Sequence, residues 1–212
     1  MAIESQGTTI EIGTGSGGAR TITAITLGNP TILTCASHGL SNGDVATAAL
    51  FAGDNAASIN GIAWVVKYVT TNTFAIELDS TALTITDNTD SATMTPVEWT
   101  AIGEVTDFSG PDGSASEIDV THLTSTSKEF LMGLPDEGSL SLSINWDTSD
   151  TGQAACSAAR AARTEENFKI TYSDSSTATL TGFVTGMTSS GGVDGKVSGS
   201  ISIRITDSIT WA

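Results

Sequence analysis

The chain has 212 residues, 39% of them apolar and only 15% charged, and it is dense in Ser, Thr, Gly and Ala. That make-up belongs to a β-rich structural protein with a neutral hydroxyl surface rather than to a disordered segment, and the length supports a hydrophobic core without disulfide staples. Eight Lys plus Arg against 24 Asp plus Glu give a formal charge of −16, which excludes a basic footprint for gripping nucleic acid and predicts that nearby DNA is repelled.

In chain order, a short strand "TTIEIG" comes first, followed by the loop "GTGSGG" (residues 13 to 18). Residues 21–97 then carry five or six strand candidates, among them "TITAITL", "TILTCAS", "VATAALF", "GIAWVVKYVT" and "TFAIEL". They are broken by "GNP", "HGLSNGD", "GDN" and "TTN", which are turn sequences. A second loop-like edge, "DNTDSATMTP", closes this stretch, so it reads as an inserted domain of 77 residues within a host made of 1–20 and 98–212. Both parts are acidic: the insert has six acids and one Lys, the host eighteen acids and seven bases.

Residues 121–138 form a connection far longer than the handful of residues that usually joins strands. Its first half, Thr121, His122, Leu123, Thr124, Ser125, Thr126, Ser127 and Lys128, is polar but for Leu123. After Glu129 come Phe130, Leu131, Met132 and Leu134, before "DEG" turns the chain. Alone in water those apolar groups would be a sticky patch. The arm therefore reads as a polar stem with an apolar tip, folded back on its own sheet as a hairpin, packed on another copy of the chain, or both.

The C-terminal half alternates with period 2. "LSLSINW" places Leu140, Leu142, Ile144 and Trp146 on one face, and "FKITY" does the same for Phe168, Ile170 and Tyr172. The last segment buries Val197, Ile201, Ile203 and Ile205 behind an outer row of Ser198, Ser200, Ser202 and Arg204. Such strands belong to antiparallel sheets with one wet face. "DGK" at Asp194–Gly195 reads as a hairpin turn. The one helix, "DTGQAACSAARAARTEEN", has Asp150 as N-cap and Gln153 at the capping-box position. Its buried stripe is predicted at Ala155, Ala158, Ala159 and Ala162, and a stripe that smooth suits either its own sheet or another subunit.

No catalytic constellation emerges. His38 sits at a strand-to-turn corner, where imidazole bonds turn backbone, and His122 ends a strand; neither has a second ligand at metal spacing. The acid pairs Asp87 with Asp90, Asp147 with Asp150, and Glu165 with Glu166, and the run "PDE" (135 to 137), match no calcium loop. "GGVDGK" is not followed by a helix, no G-x-S-x-G occurs, and no Ser, His and Asp set assembles. No enzyme and no cofactor are expected. Cys35 and Cys156 fall in a strand and a helix and read as unpaired thiols, fitting cytoplasmic folding. With no charged and apolar leader, and no apolar run near the roughly 20 residues that span a bilayer, a soluble, unprocessed intracellular product is expected.

The run from "WTAIGEVTDFSGP" through "IDVTHLTSTSKEFLMGLPDEG", with the Ala-rich helix, "FKITYSD", "TGFVTGM" and "DGKVSGSISIRITDSITW", resembles the major tail tube proteins of long-tailed (siphovirus-type) bacteriophages. The insert, with "HGLSNGD", "NG" and "NTF", resembles a small β module recurrent in phage virion proteins. The resemblance implies a mainly β fold, a tail-tube β-sandwich or barrel with one α-helix, plus an inserted small all-β domain on the tube exterior. It implies a structural virion protein assembled in the host cytoplasm, with six copies in a ring, stacked rings and an acidic lumen that conducts DNA without binding it. Residues 121–138 would then be the inter-ring loop, and Ala155, Ala158, Ala159, Arg160, Ala162 and Arg163 a helix near a subunit seam. The implied partners are other copies, a tape-measure protein, a tail terminator and a baseplate hub, with no membrane insertion. The competing reading is an adhesin-like β module that recognises host-surface glycans through Trp64, Trp99, Trp146 or Trp211; alternation with apolar neighbours assigns most of these to core or interface packing.

Overall fold

The computed structural model describes residues 4–89 and 91–212. Strand β1 (Thr9–Ser16) is followed by β2 (Arg20–Thr21), β3 (Ala24–Thr26), β4 (Thr31–Thr34), β5 (Val45–Ala49), β6 (Ala63–Lys67) and β7 (Thr73–Ile76). Then come β8 (Thr93–Ala101), β9 (Val105–Ser109), β10 (Ser114–Asp119), β11 (Phe130–Asp136) and β12 (Ser139–Asn145). The helix α1 (Thr151–Ala162) precedes β13 (Glu166–Thr171), β14 (Thr177–Ser190), β15 (Ser198–Ile205) and β16 (Thr210–Trp211). The protein is mainly β, with one α-helix among the described residues.

The chain divides into two compact units. The first holds the residues up to Ile102, with Glu166–Leu180 and Thr210–Ala212. Its strands run β3-β4-β7-β6-β5-β8-β1-β13 and on to the start of β14, with β2 on β8 and β16 on β14. β8 serves two sheets: Thr93 to Pro96 pair with β5, and Val97 to Ala101 pair with β1. The insert boundary read at residues 97 and 98 thus falls inside one continuous strand. The segment has its own apolar cluster, built on Ile22, Leu33, Phe74, Ile76 and Met94, all fully buried. The single strand expected over "TITAITL" is instead two short ones, because Ile22 donates its N–H to Ala92 while Thr23 donates to Thr34. The chain changes partner there.

One turn of the insert, around Gly43, is held against β13 and β14. Gly43 has φ +84°, and a Cβ would overlap the Thr177 hydroxyl, so only glycine permits this approach. Thr179 Oγ1 donates to the Gly43 carbonyl at 2.7 Å. Beside it Lys169, 8% exposed, reaches Asp44 Oδ1 at 3.0 Å and Glu11 Oε2 at 3.1 Å, with its ammonium 4.6 Å from the Trp99 ring centroid.

The second unit comprises Gly103–Glu165 and Thr181–Ile209. It contains an open antiparallel sheet, β14-β15-β12-β9, and a separate two-stranded hairpin, β10-β11. Leu140, Leu142, Ile144, Val184, Ile201 and Ile203 are buried on one face of the sheet, as the alternation requires. Trp146 and Met187 share a small cavity with Ala154 and Ser157 of α1, which places the helix over that apolar face. Val197, assigned to the same buried row, is 47% exposed; it belongs to the loop before β15, whose pairing begins at Ser198. That loop is wider than a two-residue hairpin, with Gly195 N–H bonded to the Gly192 carbonyl and Asp194 at φ +64°.

The helix confirms half of its capping box. Asp150 accepts from the Gln153 N–H at 2.7 Å, but the Gln153 side chain does not turn back to the N-cap. Its amide donates to the Gly103 and Asn145 carbonyls, and its carbonyl accepts from Asp147 N–H. This tether rotates the helix, so the buried face is Gly152, Gln153, Cys156 and Ala159. Of the predicted stripe only Ala159 is buried; Ala155 is half-buried, and Ala158 and Ala162 are exposed. Burying an amide is tolerable only with its hydrogen bonds made, and those acceptors set the face.

Candidate assembly arm

The long connection folds as the β10-β11 hairpin. Its register pairs Asp119 with Phe130, Ile118 with Leu131 and Glu117 with Met132; after a bulge at Gly133 and Leu134, Ala115 pairs with Pro135 and Ser114 with Asp136. "FLMGLP" is therefore strand β11 along the stem, and "THLTSTSKE" is the tip, the reverse of the polar stem and apolar tip expected. The polar residues close the turn because they can satisfy one another. Asp119 accepts from Thr121 N–H and from Lys128 Nζ at 2.6 Å. Thr121 Oγ1 accepts from Glu129 N–H, Ser125 Oγ from His122 N–H, and the His122 ring Nδ1 from Thr124 N–H. The Lys128 hydrogen bond and those from Thr121 hold the Asp119 carboxyl below the ordinary carboxylate range.

The apolar residues of the arm are open. Phe130 is 53% exposed, Leu131 59%, Met132 81% and Leu134 90%, and Leu123, Ile118 and Val120 are exposed as well. A two-stranded hairpin has two faces and two unpaired edges, and the sequence has populated both with large apolar side chains. At its root the arm is fixed. Arg204 on β15 bonds Asp136 at 2.6 Å, and Asp112 accepts from the backbone N–H and hydroxyl of Ser139. Gly138 N–H, ahead of Arg204, depresses the Asp136 carboxyl, and the Ser139 N–H depresses Asp112. Sequence reading missed Asp112, Ser139 and Arg204 as a unit, since nothing in the chain order signals that they meet.

The remaining candidates are structural. His38 is buried, accepts from Leu40 N–H at Nδ1 and meets Phe74 edge-on at 5.1 Å, as the corner position suggested. His122 is exposed in the arm tip. Asp147 holds a turn through Ser149, and Asp150 caps the helix while also accepting from Gly103 N–H; Asp90 lies outside the described residues. Among the described residues no group of three His, Cys, Asp or Glu side chains is placed to hold a metal. Cys35 and Cys156 are buried and not joined by a disulfide. Trp64, Trp99 and Trp146 are half-buried, whereas Trp211 is 55% exposed and stacked on Tyr172 at 6.2 Å.

The family model for lambda-like phage tail tube proteins matches residues 75–211. The chain belongs to that family. It is thus a structural protein of the phage virion tail rather than an enzyme. No curated protein matches this tail tube protein. Among solved structures it is similar to a chain of the native gene transfer agent virion, with 17% identity, TM-score 0.48, and 54% of this chain and 88% of that chain covered. It is likewise similar to a chain of an empty gene transfer agent tail, with 18% identity, TM-score 0.48, and 54% and 86% covered.

Proposed function

We propose that this tail tube protein is the major subunit of the tube, forming hexameric rings that stack through the β10-β11 arm around a lumen that conducts viral DNA. The observation that carries this reading is the arm: a fixed root, a self-satisfied polar tip, and between them a strand of large side chains with no cover within the second unit. A neighbouring ring would supply the missing packing and the missing strand partners. The chain charge of −16 supports an acidic conduit that a polyanion crosses without adhering. Ala158, Arg160 and Ala162 of α1 and its C-cap Arg163 are exposed, with Ala155 half-buried, which suits a subunit seam. Residues 21–97 would project from the tube exterior, and a tape-measure protein, a terminator and a baseplate hub would be the partners during assembly in the host cytoplasm. Negative-stain microscopy of the purified protein tests this: stacked rings are expected from the full chain, and rings without tubes when residues 124–130 are deleted. Unchanged tubes from the deletion would remove the arm from the contact.

A further inference from the structure

In the first unit, two carboxylates converge on one amine. Lys169 on β13 stands opposite Glu11 on β1 in the strand register, and the turn at Gly43 brings Asp44 to the same nitrogen. Lys169 Nζ lies 3.1 Å from Glu11 Oε2 and 3.0 Å from Asp44 Oδ1. The pairs Lys67 with Glu77 and Lys128 with Asp119 each keep an open carboxylate. Here the three side chains are only 10%, 24% and 15% exposed, and the Trp99 ring lies against the nitrogen. Asp44 is also held in orientation: its Oδ2 accepts from Ser41 N–H at 2.8 Å, which leaves Oδ1 to the ammonium. The Thr179 hydroxyl, bonded to the Gly43 carbonyl, fixes the turn that carries it.

We propose that Lys169 and Asp44 condense to an isopeptide bond, with Glu11 as the proton carrier. A lysine amine is a nucleophile only after it loses its proton. Glu11 takes a proton from the ammonium and delivers it to Asp44 Oδ1, leaving an amine beside a neutral carboxylic acid. Nζ then attacks Asp44 Cγ, and the C=O electron pair moves onto Oδ2, where the Ser41 N–H meets the developing charge. Glu11 passes a second proton from Nζ to the Oδ1 hydroxyl. That group departs as water while the carbonyl re-forms, so one amide and one water replace the ion pair and Glu11 is regenerated. In bulk water hydration of the two ions opposes this condensation. In the shielded site much of that hydration is already lost, and a neutral amide removes the cost of keeping both charges there. The Trp99 ring stabilises the ammonium, so newly folded protein carries the ion pair and condensation follows on standing. The bond would join residues 125 apart and fasten the inserted module's turn covalently to β13, closing a long loop that restricts the unfolded chain.

Intact-mass spectrometry of the full chain tests this, on fresh protein and after prolonged warm incubation below the unfolding midpoint. The incubated protein should be lighter by one water. Trypsin should then release a branched peptide joining residues 21–67 to 164–196, because a lysine bound as an amide is not cut. Lys169→Arg keeps the positive charge but offers no condensing amine and should stay at its full sequence mass. Glu11→Gln keeps Lys169 and Asp44 and should lose water about a hundredfold more slowly, the scale of a missing proton-transfer group; circular dichroism shows that both variants fold. Incubated protein at full mass would overturn the proposal. So would a loss of water without the branched peptide, or one that persists in Lys169→Arg, since either would place the dehydration elsewhere in the chain. Equal rates in Glu11→Gln and the unsubstituted protein would refute the role given to Glu11.

Discussion

Replacing Met132 and Leu134 together by serine separates what the arm does within the subunit from what it does between subunits. The two side chains are 81% and 90% exposed, so in the free subunit they contribute little packing, and the unfolding midpoint should move by the equivalent of less than about 0.5 kcal/mol. If both are covered in the stacked tube, the lost burial is well over one and a half full side chains. At about 1.5–3 kcal/mol for each fully buried side chain, this is about 2.5–5 kcal/mol per subunit, an upper-end figure because partners rarely cover everything. One factor of ten corresponds to about 1.4 kcal/mol, so with full coverage the protein concentration needed for tube growth should rise about fifty-fold or more, and by proportionately less where coverage is partial. Sedimentation of assembled material against total protein measures the threshold, and thermal unfolding of the dilute subunit supplies the control. An unchanged threshold would refute the docking role of β11. A large fall in subunit stability would refute it differently, by showing that these side chains pack on their own chain.

The buried ammonium offers a second test. Lys169→Met leaves Glu11 and Asp44 facing each other without their cation and should cost about 3 kcal/mol, while Lys169→Met/Glu11→Gln/Asp44→Asn should recover most of it; denaturant midpoints measure both, and a single-variant loss below about 1 kcal/mol would contradict the network. The Asp119 carboxyl is held low by Lys128, so its contribution is present above the unfolded carboxylate value, about 3.9, and disappears as pH falls through its lower folded value. Proton-linked chemical shifts should therefore titrate Asp119 below an ordinary carboxylate, and Lys128→Met should raise its midpoint. Thr21 lies opposite Thr93 in the β2-β8 pair, so joining them by Asn-Gly in place of 22–92 should close a hairpin. The shortened protein is expected to fold and form tubes; soluble protein without tubes would show that the module takes part in assembly.

Alternation made β12, β13 and β15 legible, since a strand with one wet face must place Leu140, Leu142 and Ile144 opposite Ser141 and Ser143. The helix start was legible because its cap is local. The helix face was not: it follows from Gln153 reaching Gly103 and Asn145, acceptors that sequence spacing does not bring near. The arm was half legible. Its apolar content marked a surface in need of cover, but "FLMGLP" carries no alternation, so its pairing with β10 and the inversion of stem and tip were hidden. The module's edge was hidden for a related reason, because β8 changes partner midway without a break in the chain.

By itself the sequence determined the mainly β class, the wet and dry faces of the C-terminal strands, the helix and its N-cap, and the presence of an uncovered apolar arm. These depend on local period and on composition. Only the tertiary structure decided the face α1 buries, the meeting of Lys169 with Glu11, Asp44 and Trp99, and the fastening of the arm's root. Each of these joins residues far apart along the chain. Register and partner choice are set by the sum of long-range pairings, which no single segment encodes.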